Sequence, residues 1–469
     1  MASDIRLTAD WVAAAMAGTI VASGGPDAGF SGVSIDTRTL RRGELYIGIR
    51  GDRFDGADFA AAAVKAGAAG VVVPRGRGSD PGLAGAAVIE VDETVAALQT
   101  LAHATRRASG TKVVAITGSA GKTTTKEVTA EFLGAKYRVI RNRGNLNNHI
   151  GLPLSLMELT TRPDVAVVEL GMNHAGEIST LVRIAEPDVR VWTNVGEAHL
   201  GFFASIDAIA DAKSEILEGA APDAVLVANA DDDRVMARAR SFAGRVVTFG
   251  IDRPADVRAA RVVDRGIDGT AATVNTPGGS FDLRTPLIGQ GNLANILAAT
   301  AVGVQFEVPL AVMASRAATL TPAHHRGDVV RLGRGVVVID DSYNANPTAT
   351  RRAIDVVRTS AARGRRVAVL GEMLELGDRA AALHEDVGRA AAAATLDELV
   401  AIGGDPARAM AAAAVAAGMN PTHVRHFATS EHAADAIASY VNDGDLVLVK
   451  GSRGIRTDLI VERLKAEFA

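Results

Sequence analysis

An α/β chain of three domains is the fold class that this sequence predicts, on three observations. Its 469 residues exceed the roughly 100–200 residues of a typical domain. Short apolar runs of β type alternate with helical stretches along most of the length. Two linker-like stretches, Ala108 to Thr111 and Thr321 to His325, break that alternation and divide the chain into 1–108, 109–321 and 322–469.

In the first part, β-type runs at Leu45 to Ile49, Gly70 to Val73 and Ala87 to Val91 surround an Ala-rich helix from Phe59 to Ala66, and a helix from Glu93 to Arg107 follows. This is a small α/β unit. In the second, strands at Val113 to Thr117, Val165 to Glu169, Val189 to Thr193 and Ala224 to Asn229 alternate with helices, which predicts a mostly parallel sheet covered on both faces. Turn-rich alternation over Val257 to Leu283 predicts a small antiparallel excursion, with helices near Asn292 to Val304 and Leu310 to Ala318 after it. In the third, buried-strand candidates at Val336 to Asp340, Val367 to Leu370, Leu399 to Ile402 and Leu446 to Val449 predict a doubly wound, Rossmann-like domain.

Composition narrows the function classes. A 48% hydrophobic content spread evenly among 22% charged residues predicts folding throughout. Lys plus Arg number 50 and Asp plus Glu 54, so a net charge of -4 gives no global attraction to nucleic acid or an anionic membrane. Any anion binding is therefore local. The absence of cysteine removes disulfides, thiolate metal sites and cysteine nucleophiles. Met1 to Ile20 lacks the order of a secretion signal and reads as an amphipathic helix. No segment reaches the ~20 uninterrupted apolar residues that span a bilayer. A cytoplasmic protein without membrane insertion is expected.

The strongest local signal is the strand Val113 to Thr117 running into Gly118, Ser119, Ala120, Gly121, Lys122, Thr123 and Thr124, with a helix beginning near Thr124. Glycines let backbone N–H groups approach phosphate oxygens, the helix start favours negative charge, Lys122 can neutralise a terminal phosphate and Thr123 can ligate magnesium. ATP is the predicted ligand, held over Thr117 to Thr124. The loop is shorter than the general phosphate loop, which would need glycine where Ile116 stands.

Phosphate binding alone fits a switch, a motor or a kinase equally well. Glu169 ends a predicted strand, where an open α/β sheet presents its ligand-facing loops, and is a candidate magnesium ligand; alone it serves as well as a helix cap. His199 follows the next strand and offers an imidazole to the same metal, although a lone histidine is more often structural. Lys213 lies on a predicted helix, where a lysine is most often solvated.

Together the strings decide more. TGSAGKTTTKE, NLNNHIGLPLSL from Asn145, ELGMNHAGEI from Glu169, TNVGEAHLGFF from Thr193 and the segment around Lys213 resemble, in the same order, those of the Mur ligase superfamily of ATP-dependent amide-bond ligases. GQGNLAN from Gly289 resembles the family's adenine-side segment, in which Gly291 replaces a usual histidine. DDSYNANP from Asp340 is similar to the branch that adds D-alanyl-D-alanine, and the Asp-Asn-Pro-Arg string of the branch that adds the third peptide residue is missing. Gly32 to Arg38 and Gly43 to Gly56 resemble the UDP-sugar domain.

The resemblance implies a UDP-muramoyl-binding first domain, a central ATPase domain and a C-terminal ligase domain that closes to exclude water. It implies ATP and Mg2+ as cofactors and UDP-N-acetylmuramoyl-tripeptide and D-alanyl-D-alanine as substrates; a monomer is expected. The implied catalytic set is Lys122, Lys213, His199 and Arg326, with metal held by Thr123, Glu169, His199 and Lys213, the lysine carbamylated. Asn292, Asn295, Arg326 and Asp341 are implied to hold the nucleotide. Ser34, Thr37, Arg38, Asn148, His149, Tyr343, Asn344, Asn346, Lys450 and Arg453 are implied to hold the other substrates. Thr37 stands where the family has serine, and His325 where it has glycine. A sister ligase or a noncatalytic ATP switch would keep the phosphate loop, but the first lacks a use for Tyr343 to Pro347 and the second for Glu169, His199 and Lys213.

Overall fold

The computed structural model describes residues 5–25, 29–51 and 53–469. Three large sheets follow one another along the chain, each covered by helices.

The first sheet has five strands in the order Thr19–Ser23, Ala87–Val91, Gly70–Pro74, Leu45–Ile47 and Val33–Ser34. Only the first pair is antiparallel. The helix expected to run to Ile20 is short, Ala9–Ala15, and Met1 to Asp4 lie outside the described residues. Thr8 caps its start by accepting the Trp11 N–H at 3.3 Å. Its end follows from the sequence beyond it. Ala17 takes a positive φ of 50°, and the β-branched run Thr19–Ser23 pairs with Ala87–Val91, so pairing overrides the Ala-rich helix propensity.

Helix Thr94–Ser109 joins this unit to the next. Glu93 caps it, accepting the N–H groups of Val95 at 2.8 Å and Ala96 at 2.6 Å, and Gly110 ends it at φ 68°. Its Leu98 and Leu101 are fully buried.

The central sheet has nine strands, in the order Gly279–Thr285, Thr270–Thr276, Val257–Asp264, Arg245–Gly250, Val225–Asn229, Val189–Trp192, Lys112–Thr117, Val165–Glu169 and Val139–Arg141. The first two form the expected antiparallel excursion, and the other seven are mutually parallel. Val113, Val114, Ala115 and Ile116 are all wholly buried, as a strand covered on both faces requires. Strand order reverses at Lys112–Thr117, so its carboxyl end opens into the crevice where doubly wound sheets bind ligands.

The third sheet runs Asp328–Arg331, Val337–Asp341, Leu446–Lys450, Arg366–Gly371, Glu398–Ile402 and Val424–Phe427, parallel except for the first strand. Its carboxyl ends face those of the central sheet across a cleft. The two units touch at bare backbone: a Cβ on Gly201 would come within 2.8 Å of the Gly377 nitrogen, and Gly201 N–H donates to the Glu375 carbonyl at 2.7 Å. Among the described residues no helix is long and apolar enough to cross a membrane.

Candidate functional site

A cleft of about 1090 Å³ separates the central and third sheets, and Ser119 to Thr124 form its floor. The helix after the loop is Lys122–Leu133, starting two residues before Thr124 because Gly121, at φ 81°, makes the turn. A side chain at Gly121 would meet the Asn295 amide, and one at Gly118 would meet the Thr193 hydroxyl. The loop is pinned from behind: Ser119 Oγ donates to the Gly196 carbonyl at 3.1 Å, and Ala120 N–H donates to Asn194 Oδ1 at 2.9 Å. These supports lie inside the string Thr193 to Phe203, from which sequence reasoning took only His199.

Lys122 Nζ donates to the Gly118 carbonyl at 2.8 Å. Burial pushes the Lys122 pKa down, Glu169 pulls it up and Arg326 pushes it down further. Glu169 is 4% exposed, and its carboxylate accepts Thr123 Oγ1 at 2.7 Å and Asn147 Nδ2 at 2.8 Å. Burial alone would raise its pKa, but Lys122, the Thr123 hydroxyl, Arg326 and Asn147 together hold it below the ordinary value. Glu169 is therefore no helix cap.

This donor set suits magnesium. Mg2+ takes hard oxygen ligands, often one or two carboxylates, with the remaining positions filled by water and substrate phosphates. A buried carboxylate facing a threonine hydroxyl beside a phosphate loop provides that minimum. Among the described residues no group of three His, Asp or Glu side chains forms a metal cage.

Lys213 is 1% exposed near the end of helix Ile206–Ser214, so the solvated-face reading is excluded. Burial first, and Lys122 second, push its pKa well down against the pull of Glu169. A protonated amine has no lone pair for a metal, whereas a largely neutral one can react with carbon dioxide.

His199 lines the cleft, but its Nδ1 lies 2.6 Å from Glu375 Oε2 of the third sheet's loops. Beside it Glu197 takes hydrogen bonds from Thr348 and, at 3.0 Å, from Arg351. Glu197, Arg351 and Glu375 were missed because their role exists only between domains.

On the third-domain wall the Arg326 guanidinium lies 4.1 Å from the Tyr343 ring centre and that of Arg453 lies 5.7 Å from it, so the ring orients two cations toward the cleft. His325 takes the left-handed backbone that glycine would favour, φ 58°, and its Nδ1 sits 2.6 Å from buried Asp340.

Several of the expected substrate-contact side chains line the cleft and also make bonds within the protein. Lys450 Nζ, expected to meet anionic substrate groups, bonds Asp341 at 2.6 Å and the Asn344 carbonyl at 2.9 Å. Asn148 Oδ1 accepts the Ile150 and Gly151 N–H groups at the start of helix Gly151–Leu156, while neighbouring Asn147 reaches Glu169. Asn344 Oδ1 accepts its neighbour Ala345 N–H at 2.9 Å. Asn346 caps helix Pro347–Thr359, accepting the Ala349 N–H at 2.8 Å. Asn346→Ala is therefore expected to cost about 1 kcal/mol, read as a lower urea midpoint, and Asn346→Asp to recover it. Weaker substrate binding at unchanged stability would return Asn346 to the substrate.

Asn292 and Asn295 lie at the head of helix Gly289–Gln305, joined by a 3.3 Å bond, and Asn295 also accepts Thr125 Oγ1 at 3.2 Å. They tie that helix to the phosphate loop. Tyr343, Asn344, His149 and Arg453 all line the cleft, whereas Ser34, Thr37 and Arg38 do not. Ser34 bonds Asp36, and exposed Arg38 pairs with Asp36 at 2.7 Å, holding that carboxyl down at about 2.

Three family profiles match this chain: "Mur ligase family, catalytic domain" at residues 29–106, "Mur ligase middle domain" at 116–303, and "Mur ligase, glutamate ligase domain" at 325–453. The UDP-N-acetylmuramoyl-tripeptide–D-alanyl-D-alanine ligase of Bacillus subtilis is 35% identical over 92% of this chain and 93% of its own length. That of Escherichia coli is 34% identical over 94% and 95%. A crystal structure of MurF from Acinetobacter baumannii superimposes with a TM-score of 0.89 at 31% identity, covering 99% of this chain and 100% of that one. MurF from Thermotoga maritima, in complex with ADP, does so at 0.82 and 28% identity, covering 93% and 97%.

Proposed function

The chain belongs to the Mur ligase family, and from that premise we propose that its cleft joins D-alanyl-D-alanine to UDP-N-acetylmuramoyl-tripeptide at the expense of ATP. The observation that carries this reading is the facing of two walls. A phosphate loop with buried Glu169 lies opposite Arg326, Tyr343 and Arg453 of the third domain.

The tripeptide's terminal carboxylate oxygen attacks the γ-phosphorus of ATP, the bond to the β–γ bridging oxygen breaks, and ADP leaves. The amine of the dipeptide then attacks the acyl carbon, phosphate departs, and the nitrogen loses a proton. Lys122 and Arg326 supply positive charge to the transferring phosphoryl group from opposite walls. Thr123 and Glu169 would hold Mg2+, with His199 available to it from the same cleft, and the ion would neutralise phosphate charge. Lys213, carbamylated, completes that anionic set: its amine nitrogen bonds the carbon of carbon dioxide and releases a proton. Tyr343, Asn344 and Arg453 lie where the dipeptide must approach, and Asn292, Asn295 and Asp341 flank the nucleoside end. His149 lies toward the peptide carboxylate.

The domains of this enzyme are 1–108, 109–321 and 322–469, in keeping with one large sheet in each. Ser34, Thr37 and Arg38 of the first bind the UDP group, outside the reaction cleft. The third domain closes on the second to exclude water from the acyl phosphate. The protein works as a monomer in the cytoplasm, where ATP is available.

Phosphate release is the decisive measurement, made with ATP, Mg2+ and UDP-muramoyl-tripeptide, with and without D-alanyl-D-alanine. Release that depends on the dipeptide, with a pentapeptide product by mass, is expected. Release with a single amino acid, or without an acceptor, would move the chain to a sister ligase or an ATP switch.

A further inference from the structure

We propose that Arg352, packed from helix Pro347–Thr359 of the third sheet onto the bare first turn of helix Gly289–Gln305, contacts the base of ATP. The inference rests on the ATP reading above and names the residue that would complete the nucleoside end of that site.

The two helices meet at glycines. Gly289 takes φ 80°, and a Cβ there would stand 2.7 Å from Val356 Cγ2. Arg352 lies four residues before Val356 and so shares its helix face. That directs its side chain over Gly291, where a Cβ would stand 3.6 Å from Arg352 Cδ and 3.7 Å from Nη1. Gly291 thus lets the Arg352 side chain lie in close contact on the helix's first turn, at the edge of the cleft.

Among the described residues the guanidinium has no ion-pair partner: no carboxylate lies within 4.0 Å of it, although it lines the cleft. Its surroundings disfavour the charge: desolvation lowers its pKa first, Asp232 opposes that and Arg351 adds to it. A cation held in such a place is costly unless a ligand faces it.

Position decides which part of the nucleotide that is. The phosphates belong to the loop Ser119 to Thr124, and Asn295, packed against Gly121, leads from that loop to Asn292 and the Gly291 turn. What extends from the phosphates along this path is the nucleoside. A guanidinium stacks on a purine face and donates to ring nitrogens, which an ammonium cannot do in the same plane.

The test compares wild type, Arg352→Ala and Arg352→Lys by KM for ATP, and by calorimetric binding of ADP and of inorganic tripolyphosphate, which has no base. Arg352→Ala is expected to raise KM for ATP and weaken ADP roughly tenfold, with tripolyphosphate affinity unchanged. Arg352→Lys is expected to recover little. Unchanged ADP affinity, or an equal loss for tripolyphosphate, would overturn the proposal, the second outcome making Arg352 a phosphate contact. If wild type turned over no ATP with both substrates, the ligase reading would fall, while the calorimetry would still decide the role of Arg352.

Discussion

Lys122→Ala is expected to lower dipeptide-dependent phosphate release roughly 10³-fold, the scale of removing a preorganised electrostatic group from a transition state. Lys122 holds its ammonium against the Gly118 carbonyl at 2.8 Å, among Glu169, Arg326 and Lys213. Its charge is therefore available to a phosphoryl group without reorganisation. The loss should fall mainly in kcat, because the charge on the phosphoryl oxygens changes as the group transfers. Single-turnover phosphate release at saturating ATP separates the two: a rise in KM alone, with kcat intact, would reduce Lys122 to a ground-state contact. Arg rather than Ala at this position is not expected to rescue, since a planar guanidinium cannot take the place of the compact ammonium on the Gly118 carbonyl.

Lys213→Met is expected to act in opposite directions on activity and stability. On the proposed carbamylation, activity should fall roughly 10²–10³-fold through loss of the anionic group that would face magnesium. Stability, measured in buffer depleted of carbon dioxide, should rise, because the wild-type amine is buried at 1% exposure and desolvation opposes its charge. Each kcal/mol gained appears as roughly 2–4 °C of melting temperature in a domain of this size. The pH dependence follows from the depressed pKa. The unfolded chain binds a proton at Lys213 below about pH 10.4, whereas the folded chain does not until pH falls through the lowered value. The wild-type penalty is thus absent at high pH, grows as pH falls across that window and is constant below it. The variant's advantage should vanish above the unfolded pKa. Bicarbonate should raise the activity of wild type but not of Lys213→Met, and equal responses would dissociate carbon dioxide from this residue.

Strands buried on both faces were legible because burial forces continuous apolar runs: Val165–Glu169 and Ala87–Val91 match their expected ends. Edge strands were not. Val139–Arg141 and Val424–Phe427 are short or polar and exist because a neighbour offers backbone hydrogen bonds. At the site, the residues fixed by the glycine loop, the strand end and the domain junction, Lys122, Thr123, Glu169 and Arg326, converge on the cleft. Asparagines were harder. Asn147 and Asn148 are chemically identical, and only backbone phase decides which reaches Glu169 and which caps a helix. Partners that come from another domain, such as Glu375 beside His199, leave no local mark at all.

The contact of Gly201 with Gly377 sets a mechanical tolerance on the enzyme. Because the two walls of the cleft meet there through main chain, with the Gly201 N–H bonded to Glu375, the gap between them has no side chain to compress. A methyl group at Gly201 would be a wedge, thin enough to leave every charged group in place yet thick enough to hold the walls a fraction of an ångström apart. The spacing on which phosphoryl transfer depends is thus gauged at a point that takes no part in the chemistry.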